Sequence, residues 1–157
     1  MIKKDDEALY EHPIPSMYED EAFLFKSLLE HGNFITTASV VFRKPLPMLF
    51  PDWFLNVPFG DQALYKIIAA DKRIGCLNEF MSVYRIHPEG IYQKQDFLRK
   101  KYQHLDFYKI LLPNLHADER AIIIKKKRDV IYSISKKKYP NTKLIRFLFQ
   151  SYLRFKY

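Results

Sequence analysis

Three polar side chains stand where chemistry is open to them: Asp61, Arg85 and His87. A carboxylate at a helix start can take a proton from a substrate, and it can equally serve as a helix cap. An arginine and a histidine on one face of a strand end can bind an anion. Arg85 can instead pair with an acid such as Glu79, and His87 can instead bond a backbone carbonyl. The residues alone leave these alternatives open. Ahead of them runs an aromatic loop with Phe50, Trp53, Phe54 and Phe59.

Other chemistries drop out by motif. The chain has only 4 glycines and no Gly-rich phosphate loop, no His-x-x-x-His pair, and no Gly-x-Ser-x-Gly turn. The single cysteine, Cys76, excludes an internal disulfide and a cysteine-built zinc site. Set between apolar residues, it reads as a buried inert thiol, which fits a reducing compartment.

The elements that must position these side chains follow from spacing. Pro13 and Pro15 make residues 1–18 extended or looped. Tyr18 to His31 is predicted helical, with Glu19, Asp20 and Glu21 at its positive end and Gly32 as its stop. Ile35 to Arg43 is β-branched and poor in charge, which predicts a buried strand. Pro45, Pro47, Pro51 and Pro58 then make a long loop, of a length that is usually functional. Asp61 to Asp71 is predicted helical, since Leu64, Tyr65, Ile68 and Ala69 fall on the side of Asp61. Its carboxylate should therefore face the core. Ile74–Leu77 and Phe80–Ile86 read as a pair of short strands, with Val83, Arg85 and His87 on one face. The remainder is predicted helical over Gln93–Leu112, Ala117–Tyr139 and Thr142–Tyr157, with Asn141 or Thr142 as the last cap.

Hydrophobic residues make up 48% of the 157, enough for one domain of ordinary size to bury a core. The net charge of +8 is uneven. Residues 1–115 hold 14 basic and 15 acidic side chains, whereas 116–157 hold 12 and 3. A tail that basic implies an anionic partner. No apolar run approaches the ~20 residues needed to cross a bilayer, and Met1–Asp6 lacks a signal-peptide core. The expected place is cytoplasmic, peripheral at the inner face of the membrane.

Residues 33–92 resemble the C-terminal half of the catalytic domain of glycosyltransferase family 2. The resemblance is carried by Asn33-Phe34-Ile35-Thr36-Thr37-Ala38-Ser39-Val40-Val41-Phe42-Arg43 and by the Trp53-containing loop ending in Gly60-Asp61. It continues in Ile74-Gly75, in Glu79-Phe80-Met81-Ser82-Val83-Tyr84-Arg85-Ile86-His87 and in Gly90. It covers about 60 of the 157 residues.

The resemblance implies an α/β fold. That fold is a partial GT-A-like sheet with flanking helices over 1–92, followed by an all-helical extension over 93–157. It implies an inverting glycosyltransferase that uses a nucleotide-sugar donor and a sugar or lipid-linked acceptor. Asp61 is then the catalytic base. Arg85 and His87 close over the donor diphosphate and its metal, with His87 as a metal ligand. Trp53 and Gly60 lie on the acceptor side. A divalent Mg or Mn ion is implied, although the family's Asp-x-Asp site has no counterpart in this sequence. The expectation is a segment that carries the acceptor side and lacks the donor-binding half, inactive by itself.

A second reading is a non-catalytic module that binds a membrane surface or an acidic polymer through its basic tail. Lysine runs 125–128 and 136–138 motivate it, as they would a nucleic-acid site, but no nucleic-acid fold is recognised and none is expected. Lys143, Arg146, Gln150 and Arg154 form one polar stripe on the last helix, surrounded by more apolar surface than a helix alone in water can carry. Residues 141–157 either pack on the preceding helices or rest on an anionic membrane surface.

Overall fold

Gly32 ends the first helix, α1 (Phe25–His31), with φ at +90°. A side chain at that angle would strain the backbone, so glycine is the natural stop. The structure, a computed structural model, describes residues 2–4, 22–44, 47, 49–69, 72–77, 79, 82–86, 88–90 and 93–157. The chain divides into two compact units, one of Met1–Phe54 and Gly60–Lys94, the other of Leu55–Phe59 and Gln95–Tyr157.

In the first unit the strands are short. β1 (Ile2–Lys4) pairs in parallel with β4 (Tyr84–Ile86), in the register Ile2 with Tyr84 and Lys4 with Ile86. β2 (Ala22–Phe23) pairs antiparallel with β3 (Ile74–Gly75). Arg73 ties this second pair, donating from Nε and Nη2 to the Ala22 carbonyl at 3.2 and 2.6 Å. Helix α2 (Gly60–Ala69) supplies Ala63, Tyr65 and Ala69 to the core, where Phe23, Phe25, Leu28 and Leu29 are also buried. Lys66 is buried as well, with its ammonium 5.4 Å from the centre of the Phe25 ring. A cation held over a ring face keeps some of the stabilisation that water would give it.

The second unit is helical. α3 (Phe97–Leu111) starts at Asp96, whose carboxylate accepts from the amides of Leu98 and Arg99 at 2.8 and 3.0 Å. A short 3-10 turn at Leu112–Asn114 leads to α4 (Ala117–Lys138), where Glu119 accepts from the His116 amide at 2.9 Å. α5 (Lys143–Lys156) closes the chain. Leu105, Phe107, Leu111, Ile123, Ile131 and Ile134 are among its fully buried residues.

Among the described residues the expected partial GT-A-like sheet is not formed. The described residues are mostly helical, and their strands make only isolated two-stranded pairs of two or three residues. The strand predicted over Ile35–Arg43 is the main correction. Thr37–Ser39 form a 3-10 turn, in which the Ser39 hydroxyl donates to the Thr36 carbonyl at 2.8 Å and lies 2.8 Å from the Thr36 hydroxyl. Such local side-chain bonds compete with a ladder for the backbone. Val41, expected in a buried strand, is 97% exposed.

Smaller differences have similar causes. Phe23, expected in a helix, pairs with Ile74 in β2–β3, while 18–21 lie outside the described residues. β3 and β4 do not pair with each other, because each finds its partner earlier in the chain. α3 begins after Asp96 rather than at Gln93, because Asp96 caps it.

Candidate active site

Glycine 60 opens α2 and places Asp61 in the first turn. Asp61 is half-buried. Its Oδ2 accepts from Asn33 Nδ2 at 2.9 Å, and its Oδ1 accepts from the Gln62 amide at 2.8 Å. The Gln62 bond belongs to the helix start, where amides lack intrahelical partners. The Asn33 bond comes from 28 residues earlier in the chain. Asn33 itself is set by a turn, since its Oδ1 accepts from the Ile35 amide at 3.3 Å. The carboxylate is thus held from two sides by neutral donors, and no cation pairs with it among the described residues. A carboxylate held by two donors still has acceptor sites left for a further partner.

Tyr65 lies one turn along α2 from Asp61 and is 3% exposed. Burial pushes its phenol above the ordinary value; the Thr37 hydroxyl acts against that rise and the Asp61 charge adds to it. Among the described residues the buried phenol oxygen has no hydrogen-bond partner. The result is a phenol held neutral beside the Asp61 carboxylate. A Cβ added at Gly60 would meet no atom of the described residues within 4 Å outside its chain neighbours and the helix backbone, so the space beside this residue is open.

The other predicted residues fall as follows. Trp53 is half-buried on a 3-10 turn, Asp52–Asn56, with its ring edge-on to Phe54 at 6.4 Å between centroids. Phe54 stacks in turn on Phe50 at 4.6 Å. Phe59 leaves this cluster for the second unit, where it meets His104 and Phe107 edge-on at 4.8 and 5.4 Å. The aromatic loop is therefore two packing groups rather than one wall. Arg85 is the middle residue of β4, opposite Lys3, and His87 lies outside the described residues.

Among the described residues no group of three or more His, Cys, Asp or Glu could hold a metal ion. His87, the expected metal ligand, lies outside the described residues, and no chemical step is assigned to a metal ion.

The sequence shows Asn33 only as the first residue of the segment that carries the family resemblance, and Tyr65 only as core. The available signals were an amide just after a helix-stopping glycine, and a hydroxyl at i+4 from the acid. No protein-family model, curated protein or solved structure matches the chain.

Proposed function

We propose that this chain provides the acceptor side of an inverting, nucleotide-sugar-dependent glycosyl transfer, with Asp61 as general base. The observation that carries this reading is the half-buried Asp61 carboxylate, fixed by Asn33 and the Gln62 amide and left without a described cation. In the proposed step an acceptor hydroxyl gives its proton to Asp61. Its oxygen forms a bond to the anomeric carbon from the face opposite the leaving group. The carbon–oxygen bond to the diphosphate breaks, and the nucleoside diphosphate departs with the electron pair. A positioned base contributes roughly 10²–10⁴-fold to such a transfer. Gly60 leaves room for the acceptor above the helix start, and Asn33 orients the base. Arg85 and His87 are assigned to the departing diphosphate, whose charge a cation would stabilise. The donor is bound by polypeptide other than the residues around Asp61.

The test is sugar transfer by the chain supplied with a polypeptide that binds the nucleotide-sugar donor. Asp61→Asn should lower turnover at least about 100-fold and leave nucleotide-sugar affinity nearly unchanged. Asn33→Ala should give a smaller loss of turnover, because the base remains but turns more freely. Near-normal turnover by Asp61→Asn would overturn the assignment.

A further inference from the structure

Helix α5 carries two unlike faces. Its inner face is Arg146, Phe149, Gln150 and Leu153, spaced i, i+3, i+4 and i+7. Leu153 is 1% exposed, Phe149 meets Tyr139 edge-on at 5.2 Å, and Gln150 Nε2 donates to Ser135 Oγ at 2.7 Å. That face packs on α4. The opposite face is apolar and open: Leu144 is 68% exposed, Phe147 63%, Leu148 58%, Tyr152 55% and Phe155 95%. At ~100° per residue these side chains share one side of the helix. Exposed apolar groups gathered in one stripe mark a contact surface, whereas scattered ones do not.

The charges at the edges identify what the stripe meets. Lys143 and Arg154 border it on one side and Lys156 on the other, and all three are exposed. No acidic residue occurs anywhere in α5. A second copy of the chain docking stripe to stripe would set these cations against their own kind, which opposes association. A nucleic acid would use the cations and leave the apolar stripe in water. An anionic bilayer satisfies both, taking the apolar side chains below its headgroups and the cations at headgroup level. With 14 residues α5 is too short to cross, since a span needs ~20. No described helix is long and apolar enough to cross a membrane.

We propose that α5 docks the chain on an anionic lipid bilayer, lying in the interface with the Leu144–Leu148–Phe155 stripe buried and Lys143, Arg154 and Lys156 on headgroups. The proposal does not depend on the role assigned to Asp61. The exposed basic residues of α4, Lys125, Arg128, Lys136 and Lys137, add long-range attraction of the same sign.

The test is co-sedimentation of the whole chain with phosphatidylcholine vesicles and with vesicles that also contain phosphatidylglycerol. Binding is expected only to the mixed vesicles, and it should fall as salt rises. Leu148→Asp with Phe155→Asp should cost at least about tenfold in partitioning, because two large apolar groups no longer enter the interface. Lys143→Gln and Arg154→Gln should each cost about fivefold. These side chains are exposed, so the circular dichroism melt should not move. As a second measurement, mixed vesicles should slow hydrogen exchange across 143–156. Three outcomes would overturn the proposal: no binding by the natural chain, full binding by the Leu148→Asp/Phe155→Asp variant, or unslowed exchange in α5. Loss of a solution dimer in that variant, without vesicle binding, would assign the stripe to a second copy. RNA binding that survives in it, again without vesicle binding, would assign the charge to nucleic acid.

Discussion

In the second unit α3 is started by Asp96, two and three residues from the amides it caps, and α4 is started by Glu119 reaching back to His116. In the first unit β2 is held by β3 and by Arg73, which reaches the Ala22 carbonyl across 51 residues of chain. β1 and β4 are farther apart still, Ile2 pairing with Tyr84. The contrast is between contacts that close small loops and contacts that close large ones. Large loops cost more chain entropy before any bond forms. The candidate site lies in the unit of the second kind, since Asn33 and Asp61 are 28 residues apart. Amides of α3 and α4 are therefore expected to exchange slowest, and those of the strand pairs first.

The largest effect expected from a single substitution sharpens this contrast. Leu105 is fully buried at the centre of α3. Leu105→Ala should destabilise the second unit by about 2–5 kcal/mol, read as a shift in the urea midpoint of the helical signal. Val41→Ala, at a residue 97% exposed in the first unit, should stay within about 0.5 kcal/mol. A large loss at Val41 would restore the buried strand that its β-branched neighbours suggest. A small loss at Leu105 would break the view that the helical unit has the tightly packed core.

A middle-sized effect tests the local signals. Asp96→Ala removes two bonds to α3 amides and should cost about 1 kcal/mol. Thr142 occupies the same position before α5 but makes no side-chain cap bond, so Thr142→Ala should leave the melt unmoved. Equal losses at the two positions would mean that cap geometry does not distinguish these helices.

These capped helices are also the part that the sequence made legible. α3, α4 and α5 were predicted to within a few residues, because apolar spacing, Pro113, Pro140 and short connections all lie within one or two turns of the residues they govern. α2 and its acid were legible for the same reason, as was the stop at Gly32. The strand over 35–43 failed because β propensity reports a preference for a partner without supplying one. Thr36 and Ser39 found a nearer partner in each other and in the backbone. The site was half legible. Asp61 announced itself by its place at a helix start, whereas Asn33 becomes visible only once the chain has folded back. The single polar stripe expected on α5 divides in the structure, with Lys143 and Arg154 exposed and Gln150 bonded to Ser135. Gln150 turns inward to α4, whereas Leu144, Phe147, Leu148, Tyr152 and Phe155 are exposed.

The smallest effect concerns pH and should touch the second unit alone. His104 lies on α3 with Nδ1 2.7 Å from the Lys100 carbonyl, which the neutral ring can meet by donating from that nitrogen. Its ring is edge-on to Phe59 and Tyr108, at 4.8 and 6.1 Å. Burial lowers its affinity for a proton; the Lys100 carbonyl opposes this, and the charges of Lys101 and Lys126 act with burial. The folded chain thus binds this proton less readily than the unfolded chain, whose histidine titrates near 6.5. Stability from neutral His104 is fully present above that value. It is lost as pH falls from about 6.5 toward the lower folded value, because the unfolded state takes up the proton first. Below the folded value the loss stops growing, since both states are then protonated. The Tm of the helical signal should therefore decline as pH falls through about 6.5. His104→Gln, which can still donate to the Lys100 carbonyl but does not titrate, should flatten that decline. An unchanged slope in His104→Gln would move the titration elsewhere in the unit, and a slope of opposite sign would mean that folding favours the charged ring.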